Sequence, residues 1–210
     1  MELSRVQAVL LDMDGTLVDS DAAVERAWLT WASEYRVDMG SAPLIAHGMP
    51  ALNNVRRLRP DLSETEAAAA AQRQLELQYE DVADVTAAPG AAELLGELDR
   101  LGLPWAVVTS ADVRLARVRL DAAGIGPALL VTIDDVRAGK PDPEGYLLAA
   151  RKLGADPRRC LVVEDAEAGV RAGQAAGAVV AALRGVDADI QIADLYELTS
   201  LLRQAENPRA

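Results

Sequence analysis

The chain has 210 residues, half of them hydrophobic, with one cysteine, one histidine, a formal charge of −12 and a pI near 4.5. That length and apolar content suffice for a sizeable core and exclude a disordered chain; the acidity argues against a nucleic-acid partner, because phosphate backbones are bound by clustered Lys and Arg. The lone cysteine excludes an internal disulfide and the lone histidine, His47, argues against His/Cys zinc or haem sites, so any metal has to be held by carboxylates.

The first predicted element is the short apolar strand Ala8–Leu11, followed at once by DMDGTLVDS (residues 12–20). Two carboxylates one residue apart, Asp12 and Asp14, concentrate negative charge at a turn that Gly15 leaves open to close approach. A hard divalent cation such as magnesium, with its preference for oxygen ligands, is the natural occupant. Helical spacing then takes over: 21–35 places Ala23, Ala27, Trp28 and Trp31 on one face. Residues 40–47 read as loop, Pro50 suits the first turn of a helix toward Leu58, and Ser63–Glu66 forms a capping box that opens an alanine-rich helix reaching about Tyr79. No strand is expected between Leu17 and Thr86, so 18–85 reads as an inserted all-helical cap, hinged at 17–18 and 86–88 and set into a core of residues 1–17 and 86–210.

From Pro89 helices and apolar runs alternate, with Gly102, Gly124, Gly154 and Gly177 as helix stops. Candidate strands are 105–108, 129–133, 161–163 and 179–183. Uninterrupted apolar runs separated by helices indicate a parallel sheet covered on both faces, a doubly wound α/β core.

Ligands bind such sheets outside the carboxyl ends of the strands. There the chain has Asp12 and Asp14 after Leu11, Thr109 and Ser110 after Val108, and Glu164 and Asp165 after Val163, with Lys140 held between Gly139 and Pro141. These groups suit hydrolysis of a phosphate monoester, where an anionic nucleophile must approach an anionic phosphoryl group. Asp12 would attack and form an aspartyl-phosphate. Asp14 would protonate the leaving alkoxide and then deprotonate the attacking water. The metal would sit among Asp12, Asp14 (through its carbonyl), Asp165 and Glu164, and Thr109, the Ser110 amide and Lys140 would hold the phosphoryl oxygens.

Four motifs, DMDGTLVDS, VVTSA (107–111), GKPDPEGY (139–146) and VVEDAEAGV (162–170), stand in an order that resembles the haloacid dehalogenase superfamily over nearly the whole chain. VERAWLTWA (24–32), HGMPA (47–51) and LPWAVVTS (103–110) are similar to the sugar phosphatase branch that acts on hexitol, deoxyhexose and glycerol phosphates. The resemblance implies a Rossmann-like core with a mobile helical cap, magnesium dependence and the residue roles above. It also implies that His47 and Gly48 face the substrate from the cap, while Asp19 either contacts substrate or orients the hinge. Trp28 and Trp31 read as packing residues, Cys160 as an inert strand residue, and Arg56, Arg57 and Arg59 as a solvated face.

Two other functions fit part of this pattern. A phosphoacceptor signalling domain uses similar strand-end residues without an inserted cap. A β-phosphoglucomutase carries a cap histidine and a cap arginine at positions occupied here by Val24 and, on a looser alignment, Ala51, which favours hydrolysis. The expected partner is a small phosphomonoester, with no nucleic acid, no membrane and a monomeric or weakly dimeric state. No apolar run would span a bilayer and the opening MELSR lacks the order of a signal peptide, so the expected location is cytoplasmic.

Overall fold

The computed structural model describes residues 3–38, 40 and 50–206. At its centre lies β1 (Ala8–Leu11), with all four residues buried. The chain then makes a two-residue strand, β2 (Val18–Asp19), and three helices, α1 (Asp21–Glu34), α2 (Ala51–Leu58) and α3 (Glu64–Glu80). It returns through β3 (Thr86–Ala87). Alternation follows: α4 (Ala91–Arg100), β4 (Trp105–Val108), α5 (Val113–Ala122), β5 (Leu130–Val131), α6 (Glu144–Leu153), β6 (Cys160–Glu164), α7 (Glu167–Ala175), β7 (Val179–Ala182), β8 (Ile190–Gln191) and α8 (Leu195–Glu206).

Six strands form one parallel sheet in the order β5-β4-β1-β6-β7-β8. Alternate residues of the central strands serve opposite layers, because side chains of a strand point to opposite faces. Val9, Leu11, Val107, Leu161 and Val163 pack with Leu94 and Leu98 of α4, Leu115 and Leu120 of α5, and Leu195 and Leu198 of α8. Leu10, Ala106, Val108, Val162 and Val180 pack on the other side with Tyr146, Ala149 and Ala150 of α6 and Val170 of α7. The core is therefore doubly wound. The chain builds outward from β1 to β5, crosses back through α6, and builds outward again from β6, so the strand order reverses at β1. That reversal opens a crevice at the carboxyl ends of β1, β4 and β6.

The three inserted helices enclose a small core of their own, with Trp28, Trp31, Val55, Ala67, Ala70 and Ala71 buried together. The Trp31 indole N–H donates to the carbonyl of Ala70 at 2.8 Å and its ring stacks on Tyr35. The expected capping box is present: Ser63 Oγ accepts from the Glu66 amide, and Glu66 accepts from the Ser63 amide at 2.9 Å.

Three details differ from the sequence reading. The two hinge segments pair as a short antiparallel ribbon, Val18 with Ala87 and Asp19 with Thr86, so the insertion begins on a strand. A two-residue strand has no periodicity for sequence patterning to detect. The run 129–133 is a strand only over Leu130–Val131, because Thr132 turns the chain into a 3₁₀ helix by donating its amide to Asp135 Oδ2 at 2.9 Å. The edge strand β8 lacks an apolar run and forms only because β7 offers it a free edge.

Candidate active site

Asp12 follows β1 directly, and its amide still donates to the Val163 carbonyl of β6 at 3.0 Å. Its carboxylate is therefore aimed by the sheet rather than by a loop. The turn beyond it is closed by the amides of Leu17 and Val18, both 2.9 Å from the Met13 carbonyl. Gly15 sits in that turn at φ +81°, and a Cβ there would lie 2.0 Å from Asp165 Oδ2. The position demands glycine both for its dihedral and for the acid packed against it.

Lys140 is buried among acids. Its ammonium donates to Asp12 Oδ1 and to the Val108 carbonyl (3.1 Å), and it pairs with Glu164 Oε1 at 2.6 Å. Glu164 Oε1 also accepts from the Tyr146 hydroxyl at 2.6 Å, and its Oε2 accepts from the Asp165 amide at 3.1 Å. The Glu164 carboxyl lies so close to α7 that a Cβ on Gly169 would overlap it. Asp165 reaches Arg184 Nε at 3.2 Å, and Arg184 in turn pairs with Asp21 at 2.9 Å.

Asp12, Glu164 and Asp165 are all buried, and each offers a carboxylate oxygen within 4.8 Å of the others. Burial, and then the charge of Glu164, raise the Asp12 pKa well above the ordinary carboxylate range; the same two causes push Asp165 up to about 7. Burial alone would lower the Lys140 pKa, but Asp12 and Glu164 more than offset it and keep the ammonium charged. Asp12 and Glu164 share the Lys140 ammonium and Asp165 and Asp21 share the Arg184 guanidinium, so four acids face two cations and the set is unbalanced. A cation among them would restore the balance, and an all-oxygen donor set suits a hard divalent ion.

Asp14 points the other way, into the cleft beneath the inserted helices. Its Oδ1 accepts from Ser20 Oγ at 2.7 Å and its Oδ2 pairs with Arg119 of α5 at 2.7 Å. The cleft is bounded below by Asp12, Asp14, Thr109 and Ser110, and above by Val24, Trp28, Ala51 and Asn54. Thr109 is buried, and its Oγ1 accepts from the Ala111 amide at 3.0 Å.

These strand-end residues coincide with a family-wide match. The chain matches the haloacid dehalogenase-like hydrolase family model over residues 6–177. It belongs to that family. As a haloacid dehalogenase-like hydrolase it is 41% identical over 203 residues to hexitol phosphatase A of Escherichia coli (strain K12), covering 96% of this chain and 93% of that one. It is 32% identical over 225 residues to 2-deoxyglucose-6-phosphate phosphatase 1 of Saccharomyces cerevisiae, covering 94% and 91%. Among solved structures it resembles a putative β-phosphoglucomutase from Bacteroides vulgatus, with a TM-score of 0.80, 29% identity and coverage of 96% and 90%.

Of the residues expected from sequence, this hydrolase brings Asp12, Lys140, Glu164 and Asp165 into one cluster and places Asp14, Thr109 and Ser110 along the adjoining cleft. Asp19 is exposed on β2 and does not line the cleft. His47 and Gly48 lie outside the described residues. Trp31 is a packing residue, while Trp28 both packs on Trp31 and lines the cleft. Cys160 is buried in β6, and burial pushes its thiol up to about 11.

Sequence reasoning missed Arg119, Tyr146, Arg184 and Ser20, each of which contacts a site carboxylate. Arg119 carried a signal that could have been read, because an arginine on the apolar side of the LARVRL helix needs a buried anionic partner. Tyr146 and Ser20 stand at the ends of two of the four motifs, whereas Arg184 carried no signal.

Proposed function

We propose that this hydrolase is a magnesium-dependent phosphatase of small phosphorylated metabolites, sugar or polyol phosphates, working through an aspartyl-phosphate on Asp12. The observation that carries the reading is the junction of two groups of residues. A buried, charge-unbalanced cluster of Asp12, Lys140, Glu164 and Asp165 meets a cleft that holds Asp14. The names of the hexitol and deoxyglucose phosphate phosphatases support the substrate class.

In this reading Asp12, Asp165 and the Asp14 carbonyl hold the metal, with Glu164 beside them, and the ion supplies charge neutralisation for the phosphoryl group. Asp12 is the nucleophile. Its approach to an anion is eased by Lys140, which Glu164 and Val108 hold in place. Thr109 and the Ser110 amide, at the end of β4, bind the phosphoryl oxygens. Asp14 donates a proton to the leaving alkoxide and then takes one from the water that cleaves the intermediate, while Ser20 and Arg119 orient it. Residues 18–85 form the cap that selects the substrate. The HGMPA resemblance makes His47 and Gly48, which lie outside the described residues, candidates for substrate binding.

A mutase reading draws on the Bacteroides vulgatus likeness, but Val24 and Ala51, the positions expected to carry a mutase histidine and arginine, line the cleft as apolar groups. Nothing at those positions would shuttle a proton for phosphoryl transfer between hydroxyls. The deciding experiment is phosphate release from a panel of sugar, polyol and nucleotide monophosphates, with and without magnesium, by wild type and Asp12→Asn. Expected is magnesium-dependent release that Asp12→Asn abolishes. Equal release after metal removal, or by the variant, would refute the reading.

A further inference from the structure

The wall of the cleft between α3 and α5 is polar at full burial, where a contact between two helices is ordinarily apolar. Arg119 is 2% exposed and Gln74 0%, and both line the cleft with Asp14. They are joined through Gln78. Arg119 Nη2 donates to Gln78 Oε1 at 2.5 Å, and Gln78 Nε2 donates to Gln74 Oε1 at 2.6 Å. The direction of this chain follows from chemistry: a guanidinium only donates, so Gln78 must turn its oxygen to Arg119 and its nitrogen to Gln74. Gln74 is left with its NH₂ pointing onward.

That nitrogen and Arg119 Nε are buried and without a partner among the described residues. Unmatched buried donors are expensive, and both call for an acceptor oxygen. An apolar alcohol moiety offers none. A carboxylate would offer one, but the guanidinium is already matched by Asp14 at 2.7 Å, and Asp12 and Asp21 add further negative charge to the same cleft. A neutral oxygen is the acceptor this environment accepts, and on a sugar or polyol phosphate most such oxygens are hydroxyls.

We propose that Gln74 and Arg119 are specificity-determining residues that receive hydroxyl oxygens of the substrate's alcohol portion, so that the enzyme prefers uncharged polyhydroxylated phosphomonoesters to deoxygenated or carboxylated ones. This rests on the phosphatase reading and refines it. The Arg119 side chain serves two ends at once, orienting Asp14 through Nη1 and reading a substrate hydroxyl through Nε.

The test compares kcat/KM of wild type and Gln74→Leu on four substrates: a hexitol phosphate, its counterpart lacking one hydroxyl, a sugar-acid phosphate and p-nitrophenyl phosphate. Wild type should favour the hexitol phosphate. Gln74→Leu should lower the ratio of hexitol phosphate to p-nitrophenyl phosphate by roughly tenfold or more, mainly through KM, and should narrow the gap to the deoxy counterpart. Gln74→Met, of similar volume and greater flexibility, supplies the same reading if the leucine variant does not fold. A uniform loss on every substrate, an unchanged ratio, or a wild-type preference for the sugar-acid phosphate would overturn the proposal. Absence of phosphate release from every phosphomonoester by wild type would instead refute the phosphatase reading, and this inference with it.

Discussion

The core and the inserted helices treat charge in opposite ways. In the core, Asp12, Glu164 and Asp165 are buried at strand ends, with Lys140, from the loop before α6, buried between the first two and the half-exposed Arg184 beside the third. In the insertion, Arg26 pairs with Asp81 and Asp84, Arg73 with Glu34, and Arg56 with Glu64, all at the surface where water shares the interaction. Surface pairs contribute little to stability. Buried, unbalanced charge costs stability and persists where a ligand or a reaction requires it. The comparison teaches that the core buries its unbalanced charges for chemistry, while the insertion leaves its ion pairs at the surface in water.

The sharpest way to break this contrast is Asp12→Asn. It should lower kcat by about 10⁴-fold or more, since in the proposed mechanism it replaces the nucleophile. In metal-free protein it should melt no lower than wild type, because it removes one of the crowded acids. A destabilised but active variant would invert the picture.

Asp14→Asn comes next. Turnover should fall by roughly 10²- to 10⁴-fold, the usual range for proton transfer assistance, while the magnesium-induced rise in melting temperature survives, because the Asp14 side chain stands apart from the carboxylate cluster. Loss of that rise would place the side chain in the metal site.

The third outcome is thermodynamic. In metal-free protein Asp165, pushed up to about 7, keeps a proton that it has released in the unfolded chain, where its pKa is near 4. The native state therefore binds more protons than the unfolded state between those values. The Asp165 contribution to stability is present in acid and lost as pH rises through about 7. Melting in EDTA should fall between about pH 5 and about pH 7 and level off above, and saturating magnesium should remove the fall and stabilise most at the upper pH. A melting temperature indifferent to magnesium at both pH values would contradict this.

The smallest effect belongs to the insertion: Arg73→Ala removes the exposed pair with Glu34 and should shift melting by only roughly 1–2 °C, with phosphatase activity intact. A large loss of activity would show that surface charge on the insertion also serves the site.

Much of this was legible in the chain. The apolar runs ending in DMD, VTS and VED marked three strand ends of one crevice, because a buried parallel strand must be apolar throughout and its first polar residue is where water or ligand begins. The Ser63 box and the glycine stops marked helix ends because those signals are local. Lys140 stood out through its Gly and Pro neighbours. The ribbon β2–β3 and the edge strand β8 were not legible, since two-residue strands depend on their partners.

By itself the sequence determined the architecture, the family and the candidates for the reacting groups, because periodicity, capping and motif order are written along the backbone. Tertiary structure alone decided which groups share a proton or a cation. Asp12 meets Lys140 across 128 residues of chain, Tyr146 meets Glu164, and Asp14 is held by an arginine from α5 whose other arm reaches Gln78 of α3. Charge acts through space over a few ångströms, and no pattern in a linear chain reports which side chains the fold will bring that close.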